Sequence, residues 1–263
     1  MKTIGFIGMG NMAQAIASGI IRGGKVKGSN IYAYAPNQDK LADNSSKIGF
    51  TACGSLNELV GKSDVLIAAC KPYQIEQVMA ELGDAARNKP LISIAAGWNL
   101  DKYLALLGEQ AIVQCIMPNT PAMVGEGVLM FETENTWDAD DRAWIMDTMS
   151  CLGTVVEIPS ALQPAGMAIA GCGPAFIDLV IEALGDAGVK YGLSRELSYK
   201  LASQMILGSA KLQLETGTHP GVLKDNVCSP GGTTICGVDA LEHGGVRKIF
   251  IDAVDAVIEK ANN

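Results

Sequence analysis

Residues 3–13 read TIGFIGMGNMA: a short apolar run, then Gly8-x-Gly10-x-x-Ala13, then the helix-forming stretch MAQAIASGIIRGG. The order of strand, tight turn and helix constrains the fold more than any other feature. A strand that feeds a helix this abruptly belongs to an α/β sheet, with the helix folded back across one face. Small residues let the backbone turn sharply, and the first N–H groups of the helix are left pointing at any anion above the turn. Glycine-rich turns also arise for steric reasons alone. The flanking strand and helix favour a dinucleotide cradle built on Gly8, Met9, Gly10, Asn11 and Met12, with Ala13 where a third glycine often stands.

The strand-helix rhythm continues. NIYAYA at 30–35 reads as a second strand, and its end, Ala35-Pro36-Asn37, offers no Asp or Glu. A carboxylate there would hold ribose hydroxyls and repel an added phosphate, so its absence, with Asn37 and Lys40 nearby, favours NADP over NAD. Ser55-Leu-Asn-Glu58 has capping-box spacing and predicts a helix start at Ser55. The apolar runs at 64–72, 90–97 and 111–122 read as buried parallel strands. Their ends carry Ala69-Cys70-Lys71-Pro72, Ala95-Ala96-Gly97 and Pro118-Asn119-Thr120-Pro121. Ligands of open α/β sheets lie beyond the carboxyl ends of the strands, so the cofactor belongs on this edge.

Beyond about Pro159 the strands give way to helices, which predicts a dinucleotide-binding domain over 1–159 and a helical domain over 160–263. The stretch at 175–188 is apolar nearly all round, and that at 246–260 is amphipathic. So much apolar surface in a small helical domain predicts an obligate dimer. Between the last helices lies KDNVCSPGGTTICGVDAL, residues 224–241. Pro230 stiffens the entry, Gly231 and Gly232 let a ligand approach, and Thr233-Thr234 open a helix ended by Gly244-Gly245. A helix start with a hydroxyl suits a small carboxylate; the plain alternative is a threonine N-cap on a structural turn.

The formal charge of −8 provides no basic stripe, which argues against nucleic acid as a partner. No apolar run long enough for a membrane span is apparent, and the chain is expected to be cytoplasmic. Seven dispersed cysteines without C-x-x-C spacing, and two unpaired histidines, argue against a metal site. Cys228 stands out only by its place in the loop, and burial as a small hydrophobe is its plain reading.

At the level of motifs the chain resembles the pyrroline-5-carboxylate reductases over essentially its whole length. The resemblance is carried by GFIGMGNMAQAI, AACKP, ISIAAG, MPNTPA, GCGPAF at 171–176 and HPGVLKDNVCSPGGTTICGVDALE at 219–242. It implies an α/β enzyme with an N-terminal Rossmann-like domain and an all-helical dimerisation domain, the dimers assembling into a larger ring such as a decamer. It implies NAD(P)H-dependent reduction of Δ1-pyrroline-5-carboxylate to L-proline, the last step of proline biosynthesis. The cofactor would contact Gly8 to Met12, Ala35, Pro36, Asn37, Ala69 to Pro72, Ala95, Ala96, Gly97 and Asn119. The substrate would lie against Asn226, Val227, Ser229, Gly231, Gly232, Thr233 and Thr234, with the Thr234 hydroxyl near the imine nitrogen. Cys115, Cys172 and Phe176 depart from the arginine, serine and tyrosine that many members carry.

The residues favour an imine on their own account. Reducing a ketone calls for a proton donor of matched pKa, and neither His219, before Pro220, nor His243, at a helix end, suits that role. An imine nitrogen can be protonated before hydride arrives, leaving orientation and exclusion of water as the main tasks. The rival reading is a β-hydroxyacid dehydrogenase-like or other imine-reducing relative with Lys211 as the acid. A nucleotide-sensing regulator without hydride transfer is the reading outside enzymology.

Overall fold

The computed structural model describes residues 2–262. Its contacts divide the chain into two compact units, one up to Cys172 and one from Gly173. The first holds an eight-stranded sheet made of β1 (Ile4–Ile7), β2 (Ile31–Tyr34), β3 (Thr51–Ala52), β4 (Val65–Ala68), β5 (Leu91–Ser93), β6 (Val113–Pro118), β7 (Gly127–Glu132) and β8 (Gly153–Ile158). The strand order is β3-β2-β1-β4-β5-β6-β7-β8. The first six strands are parallel; β7 runs antiparallel to β6, and β8 is parallel to β7. The order turns back on itself between β1 and β4, the switch point at which doubly wound sheets open a crevice.

Every residue of β1 and of β4 is buried, which is why both read as unbroken apolar runs. Alternation sends Ile4, Phe6, Val65 and Ile67 into one apolar cluster and Ile7, Leu66 and Ala68 into another, so the sheet has a core on each face. Each fully buried Ile or Phe contributes about 1.5–3 kcal/mol of hydrophobic free energy. The helices that matter for the crevice are α1 (Asn11–Arg22), α2 (Gln38–Ile48), α3 (Leu56–Lys62) and α4 (Ile75–Leu82). Ser55 caps α3 as its spacing predicts, accepting from the Glu58 N–H at 3.1 Å, while the Glu58 carboxylate accepts from the Gly54 N–H at 2.8 Å.

Three strands are absent from the sequence reading: β3, β7 and β8. β3 has two residues, and β8 is an edge strand that is mostly half-buried or exposed. The pieces 160–172 share the contacts of this first unit. A Cβ on Gly166 would come within 2.7 Å of Met130 Sδ on β7 and 3.0 Å of Ile158 Cδ1 on β8.

The second unit consists of helices Gly173–Lys190, Arg195–Thr216, Pro220–Val227, Thr233–His243 and Val246–Asn262. Among its described residues only Gly185, Ser198 and Ala202 are buried, Gly185 lying against the ring of Tyr199. Leu179 is 66% exposed, Leu214 78% and Ile251 61%. Amphipathic helices owe their stability to packing of the apolar face, which this unit leaves open. The helical run 160–190 is, by length and composition, long and apolar enough to cross a membrane, contrary to the expectation from sequence. Very little of its most apolar window is buried.

Candidate functional site

The first unit carries a cleft of 920 Å³ along the carboxyl ends of β1, β2, β4 and β5. Its floor is the turn after β1. The Gly8 N–H donates to Tyr34 O at 2.8 Å, and Gly8 has φ +94°, a conformation open to glycine and strained for other residues. A Cβ there would lie 2.9 Å from Ala69 O and 3.0 Å from Cys70 N, so glycine lets the ends of β1 and β4 close up. Gly10 differs: it is the N-cap of α1, has φ −77°, and a Cβ on it would meet nothing within 4 Å. The first turn of α1 has neither a side-chain cap nor an acidic residue, so its N–H groups face the cleft unpaired. Met9, Asn11 and Met12 complete this wall.

On one side Ala35, Pro36 and Asn37 line the cleft, and the Asn37 Oδ1 accepts from the Lys40 N–H at 2.9 Å to cap α2. On the other side run Ala69, Cys70, Lys71 and Pro72, followed by Ala95 and Ala96. Burial pushes the Cys70 thiol up, which keeps it neutral. The loop after β5 is held from behind: Ser93 Oγ accepts from the Ala95 N–H at 3.2 Å and from the Tyr103 hydroxyl at 2.8 Å. The Trp98 indole N–H donates to Pro72 O at 3.1 Å.

Gly97 and Asn119 lie outside the lining. Asn119 is 7% exposed, and both ends of its carboxamide are engaged: Nδ2 donates to Ala170 O and Oδ1 accepts from the Val128 N–H, each at 2.9 Å. It clamps backbone segments that are far apart in sequence and that only folding brings together. The lining also takes in Lys40, Leu41, Asn44, Gln77 and Thr120. Of these the sequence singles out Lys40 and, at the Thr-Pro corner, Thr120; Leu41 and Asn44 follow Asn37 at helical spacing on α2, and Gln77 lies on α4. An uncapped helix start over a glycine cradle and two lysines on the rim together fit a dinucleotide phosphate chain.

In the second unit the loop of the Gly-Gly-Thr-Thr motif is exposed. Asn226 and Val227 end the helix Pro220–Val227, and Val227 is 66% exposed. The turn over Ser229 to Gly232 closes with the Gly232 N–H on Ser229 O at 3.0 Å, and Gly231 has φ +67°. The N-cap is Gly232, without any side-chain cap, so neither threonine plays the capping role that the plain reading assigned. Thr233 and Thr234 occupy the first turn, and among the described residues their hydroxyls have no hydrogen-bond partner. No acid stands in that turn. The histidines are engaged elsewhere: His219 Nδ1 accepts from the Gly221 N–H at 3.1 Å, and His243 Nδ1 faces Asp239 O at 2.9 Å. Lys211 is exposed and pairs with Glu215 at 3.6 Å. Cys228 is half-buried and forms no disulfide, and Cys115 lies buried on β6, its thiol pushed up by burial.

Residues 161–263 match the family model for pyrroline-5-carboxylate reductase dimerisation, and residues 3–97 match that of the NADP oxidoreductases described as coenzyme F420-dependent. The pyrroline-5-carboxylate reductase of Treponema pallidum (strain Nichols) is 40% identical over 262 residues, covering 98% of this chain and 99% of the relative. That of Escherichia coli (strain K12) is 39% identical, covering 99% and 97%. The crystal structure of Plasmodium falciparum pyrroline carboxylate reductase with NADP bound superposes with a TM-score of 0.89 at 34% identity, over 99% of this chain and 97% of that one. On these similarities along the whole length, the chain belongs to the pyrroline-5-carboxylate reductase family.

Proposed function

We propose that this protein reduces Δ1-pyrroline-5-carboxylate to L-proline with NADPH, NADH being the alternative donor, as the last step of proline biosynthesis. The observation that carries the reading is the uncapped start of helix Thr233–His243: a glycine N-cap, no acid in the first turn and two hydroxyls without partners. A helix start in that state is a ready site for a carboxylate, and its hydroxyls remain available to a second group on the same small molecule.

The cofactor supplies a hydride to the imine carbon. The N–H groups of Gly232 and Thr233 bind the substrate carboxylate, and Gly231 and Gly232 leave room for the ring. Thr234 holds the protonated imine nitrogen through its hydroxyl, so that the nitrogen keeps its proton as the ring becomes a secondary amine. Asn226, Val227 and Ser229 complete the substrate side. In the first unit Gly8 to Met12 cradle the pyrophosphate, and Ala35-Pro36-Asn37 takes the adenosine end. Ala69 to Pro72, with Ala95 and Ala96, hold the remainder. In this reading the dinucleotide-binding domain is 1–159 and the substrate-binding and dimerisation domain is 160–263.

The open apolar faces of the helical unit are covered by a second copy of the chain, and the dimers assemble further into a decamer in the cytoplasm. Light scattering on the purified protein reads the assembly directly. Following NADPH and NADH oxidation with pyrroline-5-carboxylate tests the reaction, and absence of turnover with both would overturn it. Thr234→Ala is expected to lower kcat about ten- to a hundredfold while leaving KM within a few-fold, since backbone donors survive the change. An unchanged kcat would remove Thr234 from the mechanism.

A further inference from the structure

The loops after β4 and β5 form one end of the cleft, where Cys70, Lys71, Pro72, Ala95 and Ala96 line it. Their strands part early. The Ile94 N–H donates to Ala68 O at 3.1 Å, and past that point the ladder between them stops. Among the described residues one hydrogen bond then joins the two loops, that of the Trp98 indole N–H on Pro72 O at 3.1 Å.

Local geometry aims the indole there. Gly97, with φ +78°, lets the chain turn back, and the Trp98 backbone N–H closes the turn on Ala95 O at 3.2 Å. The Trp98 ring is half-buried and packs tilted against that of Tyr103, the centroids 5.1 Å apart. Tyr103 is itself fixed, being fully buried and bonded to Ser93 Oγ. On the facing loop, Gln74 Oε1 takes the Lys71 N–H at 3.1 Å, and Pro72 O also accepts from the Ile75 N–H. Each loop is thus stiffened within itself, and the indole ties one to the other.

The sheet order β2-β1-β4-β5 decides what that end of the cleft receives. With adenosine beside β2 and the pyrophosphate over the turn after β1, an extended dinucleotide reaches the β4 and β5 loops with its nicotinamide half. Hydride transfer depends on how that ring is held, and a displacement of about 1 Å can cost about a hundredfold in rate.

We propose that Trp98 is a positioning residue for the reaction: through its hydrogen bond to Pro72 it latches the β4 and β5 loops into one jaw that orients the nicotinamide half of the cofactor. The inference rests on the reading of the cleft as the NADPH site. It deepens that reading by naming a side chain outside the lining that sets the spacing of two loops within it.

Trp98→Phe keeps a ring against Tyr103 and removes the N–H. Calorimetric titration of the full chain with NADPH and with 2′,5′-ADP, which lacks the nicotinamide half, reads the two ends of the cleft separately. The variant is expected to bind NADPH about three- to tenfold more weakly, the value of one neutral hydrogen bond, and 2′,5′-ADP within about twofold of wild type. The single-turnover rate of NADPH oxidation by pyrroline-5-carboxylate at saturation should fall by at least a similar factor. Tm is measured alongside. A lower Tm with an unchanged rate would make Trp98 a packing residue only and overturn the proposal, as would equal losses for both ligands. Should the variant fail to fold, hydrogen exchange on wild type carries the test: NADPH, but not 2′,5′-ADP, should protect the segments 70–73 and 95–98 together. Protection of one segment without the other would overturn the latch. Wild type that bound neither ligand would overturn the cleft reading itself, and the proposal with it.

Discussion

Gly8 and Gly10 belong to one motif yet do different work, and replacing each by alanine should separate folding from binding. At Gly8 an alanine meets two obstacles, the φ of +94° and a Cβ within 3.0 Å of the Ala69-Cys70 backbone just past β4. The left-handed conformation alone costs roughly 1–2 kcal/mol for an L-residue. The backbone contact adds to it, since the ends of β1 and β4 would have to part. A loss of about 2–3 kcal/mol lowers Tm by roughly 4–12 °C in a chain of this size. At Gly10 the φ of −77° suits any residue and the Cβ meets nothing. Lower unfolded-state entropy with alanine, about 0.4–1 kcal/mol, and its poorer quality as an N-cap nearly cancel. Tm should stay within roughly 2 °C of wild type. The methyl group would nevertheless stand where a phosphate approaches the N–H groups of α1. Losing one charge-assisted hydrogen bond, about 1.5–3 kcal/mol, weakens NADPH binding about ten- to a hundredfold. Scanning fluorimetry and titration of NADPH fluorescence read the two effects. If Gly10→Ala bound NADPH as wild type does, the cradle argument would fail.

Asn119→Ala orphans the Val128 N–H and the Ala170 carbonyl, and a fall of roughly 5–10 °C in Tm is expected with NADPH affinity unchanged. An unshifted Tm with weakened NADPH binding would instead make Asn119 a cofactor contact. Glu132, 3% exposed and accepting from the Leu100 N–H at 3.2 Å, has its carboxyl pushed up by burial. The folded state then holds this proton at pH values where the unfolded chain has released it, so its contribution to stability falls as pH rises above about 4.3. Glu132→Gln should flatten that decline and raise Tm at pH 7; a lower Tm throughout would show the ionised form to be the stabilising one. Ser229 Oγ would lie 2.3 Å from a Cβ on Gly232, so Gly232→Val should impair substrate binding far more than NADPH binding. Equal losses, measured as KM for each ligand, would argue against the placement of the substrate at that loop.

The parts legible in the sequence are those set by local pattern. The strand and turn at Ile4–Gly8 and the buried strands β4, β5 and β6 announce themselves through runs of apolar residues, and α3 through its cap. The start of helix Thr233–His243 is legible as well, but not that glycine would be its cap. What escapes is set by distant partners. Asn119 draws notice in the sequence by its place at a strand end, but the backbone groups that it holds, nine and fifty-one residues away, show only in the fold. Asn44 reads as an ordinary polar helix residue, and only the packing of α2 buries it. The segment 160–172 is helical as the sequence suggests, but that Gly166 lies against Met130 and Ile158 shows only in the fold.

That segment has a further consequence. Because β7 and β8 run against β6, the chain emerges from Ile158 at the edge of the sheet remote from the cleft. Asn119, at the cleft edge, nevertheless grips Ala170. A dozen residues coiled at about 1.5 Å each climb about 18 Å, close to the height of a six-residue strand at about 3.3 Å each. The connector is thus a staircase whose number of steps matches the sheet. Removing one step would turn everything above it by about 100° and lift Ala170 out of reach, so this stretch should tolerate changes of residue far better than changes of length.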